Sequence, residues 1–305
     1  MLLEAEECLG LGEESFRMIA DTSPVGLIIS RVSDGQIQYA NRQALVMFKQ
    51  NILELTGVSI LDLFKRYTSD QSVISVLGAG HNVQNKEIYF QEKNEPAMWL
   101  SLTTKTLLLD REKVICSTLL DVTEVHELSS QLSYQATYDE LTGLVNRREF
   151  EDRLQEIIDS AREKKTENIL CYLDLDQFKV INDTCGHMAG DEMLRQLSRV
   201  LHRYIRRNDT LARLGGDEFG ILLENCQLKD ALIAAENIRQ VVQEFRFVWE
   251  DSTFNIGVSI GLTPISSVDE SISEVLRRAD TACFVAKDAG RNRIHVFHFD
   301  DQELE

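Results

Sequence analysis

The sequence predicts an α+β protein: a small antiparallel-sheet domain, a linker helix, and a second domain with a mixed sheet flanked by helices. Three observations predict it. The chain has 305 residues, more than the ~100 to 200 of a typical compact domain. Its first part strings strand-length apolar runs between polar turns. Its second part alternates such runs with apolar residues spaced three and four apart, the mark of helices packed on a sheet.

Strand-like runs in the first part are Val25 to Ile29, Ile37 to Ala40, Glu87 to Phe90, Met98 to Leu108 and Lys113 to Leu120. The segment Trp99 to Thr104 suits a half-buried antiparallel sheet, while Ala44, Leu45 and Phe48, then Leu53, suggest short helices crossing one face. This domain, with an N-terminal helix, is expected over 1–124. A linker follows over 125–136, where Val125, Leu128 and Leu132 form one apolar stripe on a helix from Val122 to about Gln135. That stripe suits pairing with its own copy or packing on either domain. The last domain, 137–305, holds amphipathic helices marked by Phe150, Leu154, Ile157, Ile158 and Ala161, by Leu194, Leu197, Leu201, Tyr204 and Ile205, by Ala231 to Phe245, and by Val275, Leu276, Ala279, Ala282 and Cys283. Phe254, Ile256, Val258 and Ile260 alternate as one strand.

A formal charge of −18 argues against nucleic acid or an anionic membrane as partner, since both reward a basic surface. An anionic substrate then needs local cations. No apolar run approaches the ~18 residues of a membrane span, and Glu4, Glu6 and Glu7 are unlike the basic start of a signal peptide, so a soluble, cytoplasmic protein is expected. Six cysteines, Cys8, Cys116, Cys171, Cys185, Cys226 and Cys283, lack C-x-x-C spacing and read as reduced thiols. The histidines lack the i, i+4 spacing of a helical metal pair.

The chemistry concentrates in two segments. Gly215, Gly216, Asp217, Glu218 and Phe219 lie between Leu211 to Leu214 and Gly220 to Leu223, a glycine turn carrying adjacent carboxylates at a hairpin tip. Upstream, the apolar run Ile169 to Leu173 ends in Asp174, Leu175 and Asp176 and continues through Gln177, Phe178, Lys179, Val180, Ile181 and Asn182 to Asp183. Each reads as a half-site for a hard cation, the glycine turn also leaving room for phosphate, although a Gly-Gly hairpin with solvated acids is ordinary surface as well.

Together these segments resemble the GGDEF family of diguanylate cyclases, over about Ala136 to Phe297. Asp139 to Arg148 looks like the family's entry turn, and Gly186 to Asp191 and Ala286 to Arg293 follow in family order. The resemblance implies condensation of two GTP into cyclic di-GMP with Mg²⁺ or Mn²⁺. It implies metal binding by Asp174, Asp217 and the Leu175 carbonyl, and a catalytic role for Glu218, as metal ligand or proton acceptor. Asp176 is expected to be structural and Phe178 core. Lys179, Lys287 and Arg291 match positions contacting the triphosphate. Asn182 and Asp191 match positions reading guanine; Asp191 also suits capping a helix beginning near Glu192, and Asn182 suits a turn. Arg206 and Asp209 form an R-x-x-D pattern where the family often has an inhibitory product-binding site, although a basic residue also suits a helix C-terminus. Two GTP sites must face each other, which implies a homodimer.

Residues from about Phe16 to Glu124 resemble a PAS sensor, on Ser23-Pro24-Val25-Gly26, Tyr39-Ala40-Asn41 and Asp121-Val122-Thr123-Glu124. The PAS ligand is unknown; His81, beside Gly78 and Gly80, is expected in a loop rather than as a haem ligand. The terminal stretch Phe297 to Glu305 resembles the junction into an EAL phosphodiesterase domain, so a GTP-binding regulatory module cut from a phosphodiesterase hybrid is the alternative reading.

Overall fold

A computed structural model of the chain describes residues 14–91, 97–109, 111–164, 166–266, 271–298 and 300–301. The expectations on Glu4, Glu6, Glu7, Cys8, Phe299 and 302–305 lie outside the described residues. The chain divides into two compact units, Met1–Ser130 and Gln131–Glu305.

The first unit contains α1 (14–22), β1 (Gly26–Arg31), β2 (Ile37–Ala40), α2 (Arg42–Met47), α3 (Ile52–Leu55), α4 (Ile60–Lys65), α5 (Gln71–Ala79), β3 (Val83–Phe90), β4 (Met98–Leu109) and β5 (Glu112–Asp121). The strands form one antiparallel sheet in the order β2-β1-β5-β4-β3. Alternate residues such as Ile28, Leu100, Leu102 and Leu119 point into a core shared with Phe48, Leu63 and Phe64 of the helical segment. Asn41 fastens the entry to this core. Its Oδ1 accepts from Leu27 N (2.8 Å) and Ala44 N (3.0 Å), and its Nδ2 donates to Ala20 O (2.7 Å) and Val25 O (2.9 Å). It thus caps α2 and ties down the chain on either side of β1. Gly78 belongs to α5 rather than to a loop; the loop begins at Gly80, whose φ of 67° ends the helix in the left-handed conformation, and His81 follows, exposed.

Helix α6 (Thr123–Thr137) buries none of its residues, and Val125, Leu128 and Leu132 of the apolar stripe are 65%, 51% and 66% exposed. His126, off that stripe, stacks on Trp99 at 4.2 Å and hydrogen-bonds Glu87 at 2.6 Å.

The second unit contains α7 (Arg147–Lys164), β6 (Asn168–Asp176), α8 (Phe178–Cys185), α9 (His187–His202), β7 (Thr210–Gly215), β8 (Glu218–Leu223), α10 (Leu228–Glu244), β9 (Arg246–Trp249), β10 (Ser252–Asn255), β11 (Gly257–Ile265), α11 (Ile272–Asp288) and β12 (Ile294–Val296). Its main sheet runs β12-β11-β6-β8-β7, antiparallel except for the parallel β11–β12 pair. Helices cover both faces: α8, α9 and α10 over one core, α7 and α11 over the other. The central strand β6 is buried on both faces through Leu173, which explains its unbroken apolar run. One expectation fails here. Phe254 to Ile260 is not one strand: β10 pairs with β9 as a separate hairpin, and β11 starts at Gly257. The apolar residues Phe254, Ile256, Val258 and Ile260 keep recurring at every second position across the break, although β10 buries none of its residues and β11 is buried continuously from Val258 to Thr263, so the pattern alone does not show it. No helix among the described residues is long and apolar enough to cross a membrane.

Candidate active site

The site forms where β6 and β8 end side by side. Their antiparallel register sets Asp174 directly opposite Glu218, so both carboxylates leave the same face. Between β7 and β8 the chain reverses through Gly216 and Asp217; Gly216 has φ 50°, which a glycine adopts without cost. Leu175 N donates to Asp217 O at 3.2 Å, stitching the turn to the strand that carries Asp174. The carboxylates of two distant segments therefore converge.

Lys287, from the last turn of α11, places its Nζ 2.6 Å from Asp174 Oδ2. Burial pushes the Asp174 carboxyl up to about 6, against the pull of Lys287 and with the charges of Asp217 and Glu218 adding to the rise. Burial works against the Lys287 ammonium too, but its bond to Asp174 more than offsets this and holds its pKa above the ordinary lysine value.

Two neighbours of the acids, Tyr172 and Arg213, are not legible in the motifs. Tyr172, two residues before Asp174 on the same face, hydrogen-bonds Glu218; burial raises its pKa, and the Glu218 charge raises it further. Arg213 holds the turn from behind, donating to Gly216 O from Nε (3.0 Å) and Nη2 (2.9 Å) and to both Asp139 oxygens from Nη1 (3.2 Å). Asp139 also accepts from Thr142 N and Oγ1; burial opposes its charge, yet these bonds and Arg213 hold its carboxyl below the usual range. The entry turn thus anchors the β7–β8 hairpin through Arg213. Strand alternation gives Arg213 no distinguishing signal.

Asp176 is buried, as a structural acid should be. It accepts from Ser259 Oγ (2.7 Å) and Asn292 N (2.9 Å), fixing the turn at Arg291 and Asn292 to β6. Arg291 and Lys179 are exposed, Lys179 in the first turn of α8. Phe178 is buried in the core, as expected. Two expectations are corrected. Asn182 stands inside α8, not in a loop turn, and Asp191 lies in the second turn of α9, which starts at His187, so it does not cap a helix near Glu192. Gly186 precedes α9 with no side-chain cap, so the sequence carries no capping signal for a helix start at His187. The half-buried Asn182 and Asp191 nevertheless sit on packed neighbouring helices.

Arg206 and Asp209 are not brought to this site. They stand at the other end of β7, about 20 Å of strand from the Gly216 turn at ~3.3 Å per residue. Asp209 N bonds Arg206 O (3.0 Å), and the Asp209 carboxylate accepts from Glu224 N (3.2 Å). Beside them opens a cavity of 860 Å³ lined by Glu149, Asp152, Glu156 and Glu224 as well as Arg153 and Arg207.

The donors present suit a divalent cation. Asp174 and Asp217 offer hard oxygens, while among the described residues no three Asp, Glu, His or Cys side chains are grouped as a complete cage. Mg²⁺ is typically held in this manner, by one or two carboxylates together with substrate phosphates.

This fold and site define a class. The GGDEF domain model, described as diguanylate cyclase, matches residues 136–293, and a PAS domain model matches 24–124, so the chain belongs to the GGDEF family with a PAS domain ahead of it. It is 41% identical over 177 residues to the probable diguanylate cyclase DgcE of Escherichia coli K12, a match covering 58% of this chain and 16% of that protein. It is 34% identical over 264 residues to the cyclic di-GMP phosphodiesterase PdeB of Shewanella oneidensis, covering 81% of this chain and 30% of that protein. The chain thus spans less than a third of either relative's length. Among solved structures, the coiled coil and GGDEF domain of DgcB from Caulobacter crescentus in complex with c-di-GMP is 32% identical, with a TM-score of 0.54, over 57% of this chain and 93% of that one.

Proposed function

We propose that this protein is a diguanylate cyclase that condenses two GTP into cyclic di-GMP and two pyrophosphates. The observation that carries the reading is the facing pair Asp174 and Glu218 beside the Gly216–Asp217 turn, with Lys287 at 2.6 Å. Asp174, Asp217 and the Leu175 carbonyl would hold Mg²⁺ or Mn²⁺, which when bound neutralises the leaving pyrophosphate and acidifies the attacking 3′-hydroxyl. Lys179, Lys287 and Arg291 bind the triphosphate near the N-terminus of α8, whose dipole favours anions. Asn182 and Asp191 read the guanine edge with an amide and a carboxylate. Glu218, oriented by Tyr172, accepts the hydroxyl proton as the 3′-oxygen attacks the α-phosphate of the second nucleotide.

Two such sites must face each other, and the exposed stripe of Val125, Leu128 and Leu132 is the surface on which a homodimer would pair. Arg206 and Asp209 remain the proposed anchor for inhibitory cyclic di-GMP; the acids lining the neighbouring cavity oppose a phosphate there and would keep that inhibition weak. We place the protein in the cytoplasm, where GTP is. The alternative, a module holding GTP without turnover, has the likeness to PdeB behind it, but is not favoured because all three site acids are in place. Incubation with GTP and Mg²⁺ followed by nucleotide chromatography separates the two: cyclic di-GMP, abolished in Asp217→Ala, establishes the cyclase, and GTP recovered unchanged overturns it.

A further inference from the structure

Gly190 is the fourth residue of α9 and is buried. Its φ is ordinary for a helix, and alanine would make the better helix there. What requires glycine is its neighbourhood. A Cβ built on Gly190 would stand 2.0 Å from Asn182 Oδ1 and 3.0 Å from Phe178 Cζ. Asn182 Oδ1 is itself buried and has no hydrogen-bond partner. Nothing polar fixes the Asn182 amide through that oxygen, so the notch left by the missing side chain, floored by the core ring of Phe178, sets its rotamer.

We propose that Gly190 is a positioning residue for base recognition: by leaving a notch on α9 it holds the Asn182 amide in the orientation that meets the purine. An alanine here is relieved most cheaply by swinging Asn182, the end of a rotatable side chain, and leaving α9 and Phe178 in place. The fold survives and the contact to the base is lost. The inference rests on the reading of Asn182 as a guanine contact.

The test is a double-mutant cycle on the full chain, titrating a GTP analogue with methylene between its α and β phosphorus atoms, with Mg²⁺, by calorimetry. Asn182→Ala and Gly190→Ala should each weaken binding about tenfold, the scale of one hydrogen bond, and the double variant should bind no more weakly than Asn182→Ala. Gly190→Ala should melt within about 3 °C of the parent. Wild-type affinity in Gly190→Ala, or a double variant weakened by the product of both factors, overturns the inference. So does an Asn182→Ala protein that binds like the parent, which leaves the cyclase reading standing; a parent that does not bind the analogue sinks both. If Gly190→Ala does not fold, the double variant, in which the 2.0 Å contact is gone, carries the test: it should fold and bind as Asn182→Ala does, and failure of either overturns the proposal.

Discussion

Asn41 in the PAS unit and Asp174 in the GGDEF unit are polar side chains near the end of a strand, and they are treated in opposite ways. Asn41 is fully buried and makes four hydrogen bonds to backbone groups on both sides of β1. Asp174 faces another carboxylate across the strand pair, has a lysine at 2.6 Å and is pushed towards neutrality by burial. The saturated group holds the fold together. The crowded one stores an electrostatic imbalance that a cation and a nucleotide would relieve.

Substitutions break or sharpen this contrast. Asp174→Asn should lower turnover by at least about 10³-fold, the scale of losing a principal electrostatic group, while its melting temperature holds or rises because one of the facing acids is gone; a destabilised but active variant would erase the distinction. Asn41→Ala should do the reverse, costing about 3 kcal/mol by orphaning two amides and two carbonyls inside the PAS unit, read as a shifted urea midpoint. An unmoved midpoint would show that the network contributes little. Arg213→Ala falls between them, since it releases the turn from Asp139 without touching the substrate. A loss of about tenfold in kcat, as expected for slight misplacement of reacting groups, with GTP affinity nearly kept, would show that the hairpin needs external fixing. Tyr172→Phe removes only the hydroxyl at Glu218. A fall of about fivefold, about the net worth of one hydrogen bond, is expected in kcat, and no change in kcat would mean that Glu218 is oriented without it.

Much of this contrast was legible in the chain. The acids that end β6 and the glycine turn stand in continuous segments, so local order revealed them, and Asp176, expected to be structural, is buried and bonded to Ser259 and Asn292. The five strands of the PAS unit followed from alternation. Errors arose where a signal is degenerate. Asn182 and Asp191 suit turns and caps as well as helix interiors, and alternation ran unbroken from β10 into β11 although the two strands belong to different sheets. Partners such as Arg213, 74 residues from Asp139, were not legible, because nothing local marks a side chain whose partner comes from elsewhere.

By itself the sequence determined the five strands of the first unit, the acids and the glycine turn as continuous segments, and the apolar stripe on α6, because each depends on periodicity or on adjacent residue types. Only the tertiary structure decided that Asp174 faces Glu218, that Arg213 ties the hairpin to the entry turn, that Lys287 reaches Asp174, and that Gly190 leaves room for Asn182. Those facts depend on strand register and helix packing, which bring distant residues within ångströms through the cooperative burial of both cores of the GGDEF unit and which no short stretch of chain encodes.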